Sequence, residues 1–131
     1  MLNGSCHCGG LRWRFDAWPE SATLCNCTIC RRYGVLWIYG HEAEDVALIG
    51  ESRIYRTAAG GLEWHFCPTC GCIAAWRAGY LEDDGRRRMA VNLRLAEDQD
   101  IIRPVPLARF DGLNDLGTLP RDGRTVGDVL I

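Results

Sequence analysis

The residues best suited to chemistry are eight cysteines in a chain of 131 residues, where one or two would be usual. They form three short groups, with the sequences CHC at 6–8, CNCTIC at 25–30 and CPTCGC at 67–72. Such spacings are typical of thiolate ligands to a metal. The alternative for a cysteine-rich chain is a set of disulfides, and the cellular compartment decides between the two.

The start of the sequence favours the metal. Residues 1–6 lack the charged and then apolar segment of a secretory signal peptide. We therefore expect a reducing, cytoplasmic location, in which disulfides rarely persist.

The third cysteine group has the sequence of a zinc knuckle. Pro68 presets the turn between Cys67 and Cys70. Gly71 then permits a positive φ, so that nearby amides can point at the two sulfurs. Because a structural zinc site needs four ligands, another pair of thiolates must come from one of the two earlier groups.

Without Cys72, the seven remaining cysteines divide into a set of four and a set of three. Four thiolates close a tetrahedral zinc site, whereas three leave a position for water or substrate. Cys25, Cys27 and Cys30 can chelate from one loop, so this cluster is the predicted catalytic site. A zinc ion with three thiolates carries a net negative charge and is a weak Lewis acid. A thiol that binds as the fourth ligand would lose its proton more readily and could attack an aldehyde carbonyl.

The elements that must position these cysteines are predicted to be β-strands. Leu11, Trp13 and Phe15 alternate with polar residues, which is the period of a strand with one buried face. Further strands are predicted at 35–39, 46–49, 52–57, 62–66, 73–76 and 89–95, with a hairpin turn at 83–85. Helix should be a minor component. We expect one mainly β domain over residues 1–131, a sandwich or small barrel, with residues 103–131 as an arm laid over the sheets.

Composition excludes several functions. All 15 basic residues are arginine, so chemistry that needs a lysine, such as Schiff-base formation, is excluded. The formal net charge of −2 gives no basic footprint for a nucleic acid. No apolar run is long enough to span a bilayer. We expect no nucleic-acid or membrane partner, and no pattern specifies an oligomeric state.

The three cysteine motifs, in this order, resemble those of the glutathione-dependent formaldehyde-activating enzyme family, which also includes centromere protein V. The matching segments are GSCHCGGLRWRF, CNCTICRR and FCPTCG, and the later VNLRL and RFDG segments are similar to the endings of some bacterial members. The resemblance implies a zinc-pinned β fold, sometimes called a β-tent, with two zinc ions. The implied ligands are Cys6, Cys8, Cys67 and Cys70 for a structural ion, and Cys25, Cys27 and Cys30 for a catalytic ion.

The resemblance also implies an activity. Family members are carbon-sulfur lyases that promote the addition of glutathione to formaldehyde. For this chain the expected reaction is reversible addition of glutathione or a similar thiol to formaldehyde or another small aldehyde.

Two features near the clusters leave alternatives open. Arg31 and Arg32 directly follow Cys30, so they bind a substrate carboxylate or form a solvated face. Cys72 stands where family members commonly carry a small hydroxyl residue. It is either a small buried residue or a fourth ligand that closes the second site.

Two other functions compete with the enzyme interpretation. A zinc-stabilised, non-catalytic protein-binding module would need no open metal site. A zinc hydrolase would need His65 or Glu63 at the metal, although packing in the core is the commoner role for such a histidine. The zinc stoichiometry and the ligands of the second ion distinguish the three functions.

Overall fold

The structure is a computed structural model that describes residues 1–58 and 60–130, so Ile131, the end of the predicted domain, lies outside the described residues. The strands are β1 (Leu2–Ser5), β2 (Leu11–Phe15), β3 (Ala22–Cys25), β4 (Trp37–His41), β5 (Val46–Gly50), β6 (Arg53–Tyr55), β7 (Leu62–Phe66), β8 (Ile73–Ala78), β9 (Arg88–Asn92), β10 (Leu107–Asp111) and β11 (Gly117–Leu119). Helical elements are α1 (Cys30–Tyr33) and the 3-10 turns Leu93–Leu95 and Val126–Val129. The expected mainly β fold with little helix is confirmed. None of the helices described is long or apolar enough to cross a bilayer.

The strands form two sheets within the described residues. The small sheet has the order β1-β2-β5, and the large sheet has the order β11-β10-β3-β4-β9-β8-β7-β6. All neighbouring strands are antiparallel except β3 and β10, which run parallel. Because β3 carries Cys25 at its end, the parallel partner β10 ends beside the central cysteine group.

The large sheet buries different side chains on its two faces. Ile38 and Val91 point toward the small sheet and join Trp13 in the main core. Neighbouring side chains along a strand point to opposite faces. Trp37, next to Ile38, therefore lies on the other face, in a second apolar cluster with Trp64. The face directed away from the small sheet is thus aromatic, and this is the face that reaches the cysteines of residues 25–30.

Some predicted strand boundaries differ from those of the structure. The strand expected at 35–39 begins two residues later, and the one expected at 89–95 ends at Asn92. Asn92 ends its strand because its side-chain oxygen accepts hydrogen bonds from the backbone N–H groups of Leu36 and Arg94. Its amide also donates to the carbonyl of Ile73. A side chain that satisfies nearby backbone groups replaces the sheet ladder at this point.

The expectation of a C-terminal arm is wrong for residues 107–119. Strands β10 and β11 extend the large sheet at its edge, with Arg109 beside Leu24 on one side and Leu119 on the other. The flanking prolines and glycines gave the segment the composition of a loop. Its pairing partner, β3, lies more than eighty residues earlier in the chain, so no local pattern reveals it.

Candidate metal centre and its cavity

Four cysteines from both sheets come together in one group. The sulfurs of Cys6, Cys8, Cys67 and Cys70 all lie within 4.8 Å of one another. The Cys8 Sγ lies 3.6 Å from the Cys6 Sγ and 3.5 Å from the Cys67 Sγ. Four sulfurs around one zinc ion are about 3.8 Å apart, given Zn–S bonds of about 2.3 Å. The separations in this group fit a tetrahedral zinc ion.

The backbone around this group favours thiolates. Cys67 accepts hydrogen bonds at its sulfur from the N–H groups of Thr69 and Cys70, at 3.4 and 3.5 Å. Gly71 follows with φ of 78°, as the knuckle sequence predicts. Backbone hydrogen bonds from Cys72 and Cys8 lower the pKa of Cys70 to about 5. N–H donors aimed at sulfur stabilise the charged form that a metal requires.

The second group lies at the end of β3. The sulfurs of Cys25, Cys27 and Cys30 also lie within 4.8 Å of one another. Cys25 ends the strand, Cys27 lies in the following turn, and Cys30 begins α1. The N–H of Cys27 donates to the Cys25 Sγ at 3.5 Å, and the N–H of Cys30 donates to the Cys27 Sγ at 3.4 Å. The indole of Trp37 donates to the Cys30 Sγ at 3.3 Å.

The three thiols of the second group differ in their environment. Burial raises the pKa of Cys30, which is 5% exposed, more than the Trp37 indole lowers it. Burial is the largest single influence on Cys27 and raises its pKa, but the hydrogen bonds from the backbone N–H of Cys30 and from neighbouring groups together outweigh it, so the pKa of Cys27 is lowered. Three thiolates so close together repel one another, and a divalent cation removes that repulsion. The donor set therefore fits a zinc ion with three protein ligands.

The end of β10 positions the second group. The carboxylate of Asp111 accepts a hydrogen bond from the side chain of Asn26, which stands between Cys25 and Cys27, at 2.9 Å. Asn26 in turn accepts the backbone N–H of Leu113. Gly112 directly follows Asp111, and a Cβ added at this glycine would come within 3.1 Å of the Cys27 Cβ. Nothing local in the sequence marks a role for these residues apart from the similarity of the RFDG segment to family endings.

A cavity of about 460 Å³ opens at this group and is bounded by all three of its cysteines. The walls are mostly apolar and aromatic, with a few polar residues: Thr23, Trp37, Tyr39, Leu62, Trp64, Trp76, Arg88, Ala108, Arg109, Phe110, Gly112 and Thr118. The ring of Trp37 is tilted against that of Trp64, with centroids 5.9 Å apart, and meets that of Trp76 edge to face, with centroids 6.5 Å apart. Trp37, Trp64 and Trp76 are buried and together form much of the wall of this cavity.

Cys72 lies with the first group, away from the cavity. Its sulfur neighbours Cys70 and Cys6, and its side chain is half-buried against the core between the sheets. It belongs to neither set of sulfurs that lie within 4.8 Å of one another. The second group therefore has three cysteine sulfurs in the described residues, and Cys72 is not placed to become a fourth.

The residues that a hydrolase would need lie on the other side of the sheet. Glu63 and His65 alternate with Trp64 along β7, so they face away from the aromatic cavity. Burial opposes ionisation of Glu63, but hydrogen bonds from Arg56 and Arg77 lower its pKa to about 2. Both residues thus belong to a polar network that does not reach the cysteines.

The two arginines after Cys30 point to different places. Arg32 donates from Nη1 to the carbonyl of Thr28 at 2.8 Å and lies beside Tyr33 at the outer side of the loop. Arg31 lines a separate cavity of about 350 Å³ that also borders Cys25. Neither arginine lines the aromatic cavity. Their predicted role in binding a substrate carboxylate remains a prediction.

A sequence family and a curated relative match this chain. A sequence model of a family described as glutathione-dependent formaldehyde-activating enzyme matches residues 1–108. A Halomonas elongata protein named "Putative glutathione-dependent formaldehyde-activating enzyme" is 33% identical over 87 residues, an alignment that covers 58% of this chain and 55% of that protein. This chain therefore spans about half the length of that relative.

One solved structure has the same fold. It is the crystal structure of a Rhodobacter sphaeroides protein, with a TM-score of 0.60 and 21% sequence identity. The alignment covers 80% of this chain and 98% of the other. The likeness concerns the fold alone.

Proposed function

Since this chain belongs to the glutathione-dependent formaldehyde-activating enzyme family, we propose that it catalyses the reversible addition of a thiol to a small aldehyde. The thiol is glutathione or a similar molecule, and the aldehyde is formaldehyde or one of comparable size. In class this is a carbon-sulfur lyase that works in a reducing compartment, the cytoplasm. The observation that carries the proposal is a group of three cysteine sulfurs that opens into a cavity of about 460 Å³.

The donor chemistry of the two groups supports two zinc ions with different roles. Cys6, Cys8, Cys67 and Cys70 would hold a structural ion, and Cys25, Cys27 and Cys30 a catalytic one. The catalytic ion, when bound, would lower the pKa of a thiol that takes its remaining position.

The reaction needs one bond to form and one proton to move. The sulfur of the thiolate adds to the carbonyl carbon, the C–S bond forms, and the electrons of the C=O π bond move to the oxygen. That oxygen then takes up one proton, which balances the proton that the thiol released. The reverse reaction breaks the same C–S bond.

Side chains of the cavity suit this proton step. Tyr39 lines the cavity, and partial burial raises the pKa of its phenol. Its Oη therefore keeps its proton at neutral pH and offers an O–H donor to an oxygen atom in the cavity. The apolar tryptophan walls bind water poorly, which favours the thiol over water as the partner of the aldehyde.

The two competing functions have less support. A protein-binding module needs no concave site at the second cysteine group, yet the cavity there has the size and apolar lining of a small-molecule site. A zinc hydrolase needs a general base beside the metal, and Glu63 and His65 face the other side of the sheet.

Magnetization-exchange NMR on thiol, formaldehyde and their adduct tests the proposal. Zinc-loaded protein should accelerate exchange between free and added formaldehyde with at least one thiol, with glutathione as the first choice. Cys27→Ser should lose the acceleration, whereas Cys72→Ser, which makes the same chemical change outside both groups, should keep it. Absence of acceleration with every thiol, while both zinc ions are bound, would refute the enzyme function.

A further inference from the structure

A second cavity, of about 350 Å³, lies beside the three-cysteine group and borders Cys25 and Cys30. Four arginines line it: Arg31, Arg94, Arg109 and Arg124. No acidic side chain is among the described residues that line this arginine cavity. Four cations around one concave surface produce a strongly positive potential there.

The arginine cavity lies on the reverse side of the strands that carry the cysteines. Leu24, Arg109 and Leu119 are register partners on β3, β10 and β11, so they share one face of the large sheet. Cys25, the neighbour of Leu24, lies on the opposite face, toward the aromatic cavity. The two cavities therefore open on opposite faces of these strands, and they share the lining residues Cys25, Cys30, Arg109 and Phe110.

Protein carboxylates neutralise only part of this charge. Arg124 and Arg109 share a single partner, the carboxylate of Asp122, with N···O distances of 2.9 and 3.8 Å. Arg31 and Arg94 form no ion pair with any of residues 1–58 or 60–130. Three positive charges thus remain without a protein counter-ion at the cavity.

Arg94 lines the cavity with a guanidinium whose donors the protein satisfies only in part. One of its terminal nitrogens donates to the carbonyl of Val129 at 3.2 Å. Its Nε is buried and donates to no atom of the described residues. A buried donor without an acceptor costs free energy, so the protein alone does not fully satisfy this guanidinium. The apolar walls, Leu24, Val35 and Leu119, lower the local dielectric constant and strengthen any charge pair formed there.

We propose that the arginine cavity binds a small anion that carries a carboxylate or phosphate group. Guanidinium groups bind both through paired N–H donors. The anion is either a free small molecule or the carboxylate part of a larger one, such as the thiol substrate. Binding does not require thiol addition, so this inference goes beyond the proposed function and can fail or succeed independently of it.

Amide chemical shifts of the zinc-loaded protein test the proposal. Inorganic phosphate, acetate and S-methylglutathione are titrated separately, at an ionic strength held constant with sodium chloride. Saturable shifts are expected at the amides of Leu24 and Leu119. Saturation by S-methylglutathione assigns the cavity to the carboxylates of a thiol substrate, and saturation by phosphate or acetate alone assigns it to a free anion.

Two variants and one control locate the binding. Arg94→Gln and Arg124→Gln should each lower the affinity for the probe roughly tenfold, which is the effect expected when one hydrogen bond to a charged group is lost. Arg124 is exposed, so its variant remains informative if the contact of Arg94 with Val129 proves necessary for folding. Arg53→Gln, on β6 at the opposite edge of the large sheet, should leave the affinity unchanged. Absence of saturable shifts with all three probes, or equal affinity in wild type and Arg124→Gln, overturns the proposal.

Discussion

At the second cysteine group, an indole is the hydrogen-bond partner of one of the three sulfurs. Trp37 is 1% exposed and its only polar atom, Nε1, donates to the Cys30 Sγ at 3.3 Å. A donor to a ligand atom orients that ligand and moderates its charge. Trp37 is thereby part of the wall of the cavity and also a positioning residue for the group.

Replacing Trp37 with phenylalanine separates these two roles. Trp37→Phe keeps an aromatic ring but removes the donor to the Cys30 Sγ, so the affinity of the three-cysteine group for zinc should fall roughly tenfold. Competition with a chromophoric zinc chelator measures this affinity. Trp64→Phe changes the same wall without removing a donor to sulfur, and it should release zinc as the wild type does. Equal zinc release by the two variants would show that the indole N–H has no influence on the metal.

The buried imidazole of His65 should be neutral at physiological pH. Burial lowers its pKa below the usual 6.5, more than the neighbouring Glu63 raises it. The pKa of Glu63 is about 2, so its carboxylate is ionised at neutral pH. His65 Nε2 therefore carries the proton and donates it to that carboxylate, while Nδ1 accepts a hydrogen bond from the Ser52 hydroxyl. The unfolded chain takes up a proton near pH 6.5 and the folded chain only at lower pH. The stability that His65 contributes is therefore full above pH 6.5 and declines as the pH falls below it.

Nitrogen chemical shifts of the imidazole check this assignment. Long-range ¹H–¹⁵N spectra should show the Nε2–H tautomer of His65 at pH 7 and a midpoint below 6.5. The Ser52→Ala variant should retain the neutral form but alter the Nδ1 shift, because that nitrogen loses its donor. A midpoint at or above 6.5 would contradict the expected effect of burial.

The three-cysteine group and the zinc knuckle could be picked out from the sequence because each is local, whereas the pairing of Cys6 and Cys8 with the knuckle followed only from the family resemblance. Cys25, Cys27 and Cys30 lie within six residues, and the zinc knuckle lies within five. Trp37 and Asp111 could not be found in this way. They reach the cysteine loop through the pairing of β4 and β10 with β3, which depends on contacts between distant parts of the chain.

At the scale of the elements, prediction succeeded where a strand has one buried and one exposed face. Strand β2 buries Leu11, Trp13 and Phe15 and exposes the two arginines between them, as its alternation predicts. Strand β10 has no such pattern, since only Leu107 and Asp111 at its ends are buried. Strand β10 therefore lies between β3 and β11 without an alternation of buried and exposed residues from which the sequence could predict it.

The contact from β10 to the cysteine loop gives a prediction for that element. Asp111→Ala removes the acceptor of the Asn26 amide and of the Asn114 backbone N–H, both at 2.9 Å. Because Asn26 is half-buried and Asn114 is exposed, water replaces part of these hydrogen bonds, and the loss should be about 1 kcal/mol in total. Chemical denaturation should show a loss of stability of that order, and thiol–aldehyde exchange should slow because Asn26 no longer fixes the loop between Cys25 and Cys27.

A surface carboxylate provides the matched control. Asp16→Ala removes an exposed ion pair with Arg14 after β2 in the small sheet, and exposed pairs are worth about 0–1 kcal/mol. That variant should keep its exchange activity. If Asp111→Ala and Asp16→Ala change stability and activity alike, the end of β10 does not position the cysteine loop.

For the whole molecule, the four-cysteine group connects the two sheets. Cys6 and Cys8 follow β1 of the small sheet, whereas Cys67 and Cys70 lie between β7 and β8 of the large one. Zinc binding in structural sites contributes on the order of 10–16 kcal/mol, as much as the total stability of an ordinary domain, roughly 5–15 kcal/mol. The second group lies within one loop and makes no comparable connection.

The two cysteine groups should therefore respond differently to the same substitution. Cys67→Ser should lose its structural zinc and the cooperative thermal unfolding transition, because the sheets are no longer joined by the metal. Cys27→Ser should unfold cooperatively, bind one zinc ion less than the wild type and lose exchange activity. Circular dichroism during heating, with zinc content measured by atomic emission, records both outcomes. Cys72→Ser keeps both groups intact and should match the wild type in both measurements. Cooperative unfolding of Cys67→Ser at the wild-type temperature would mean that the core between the sheets, with Trp13 at its centre, holds the fold without the metal.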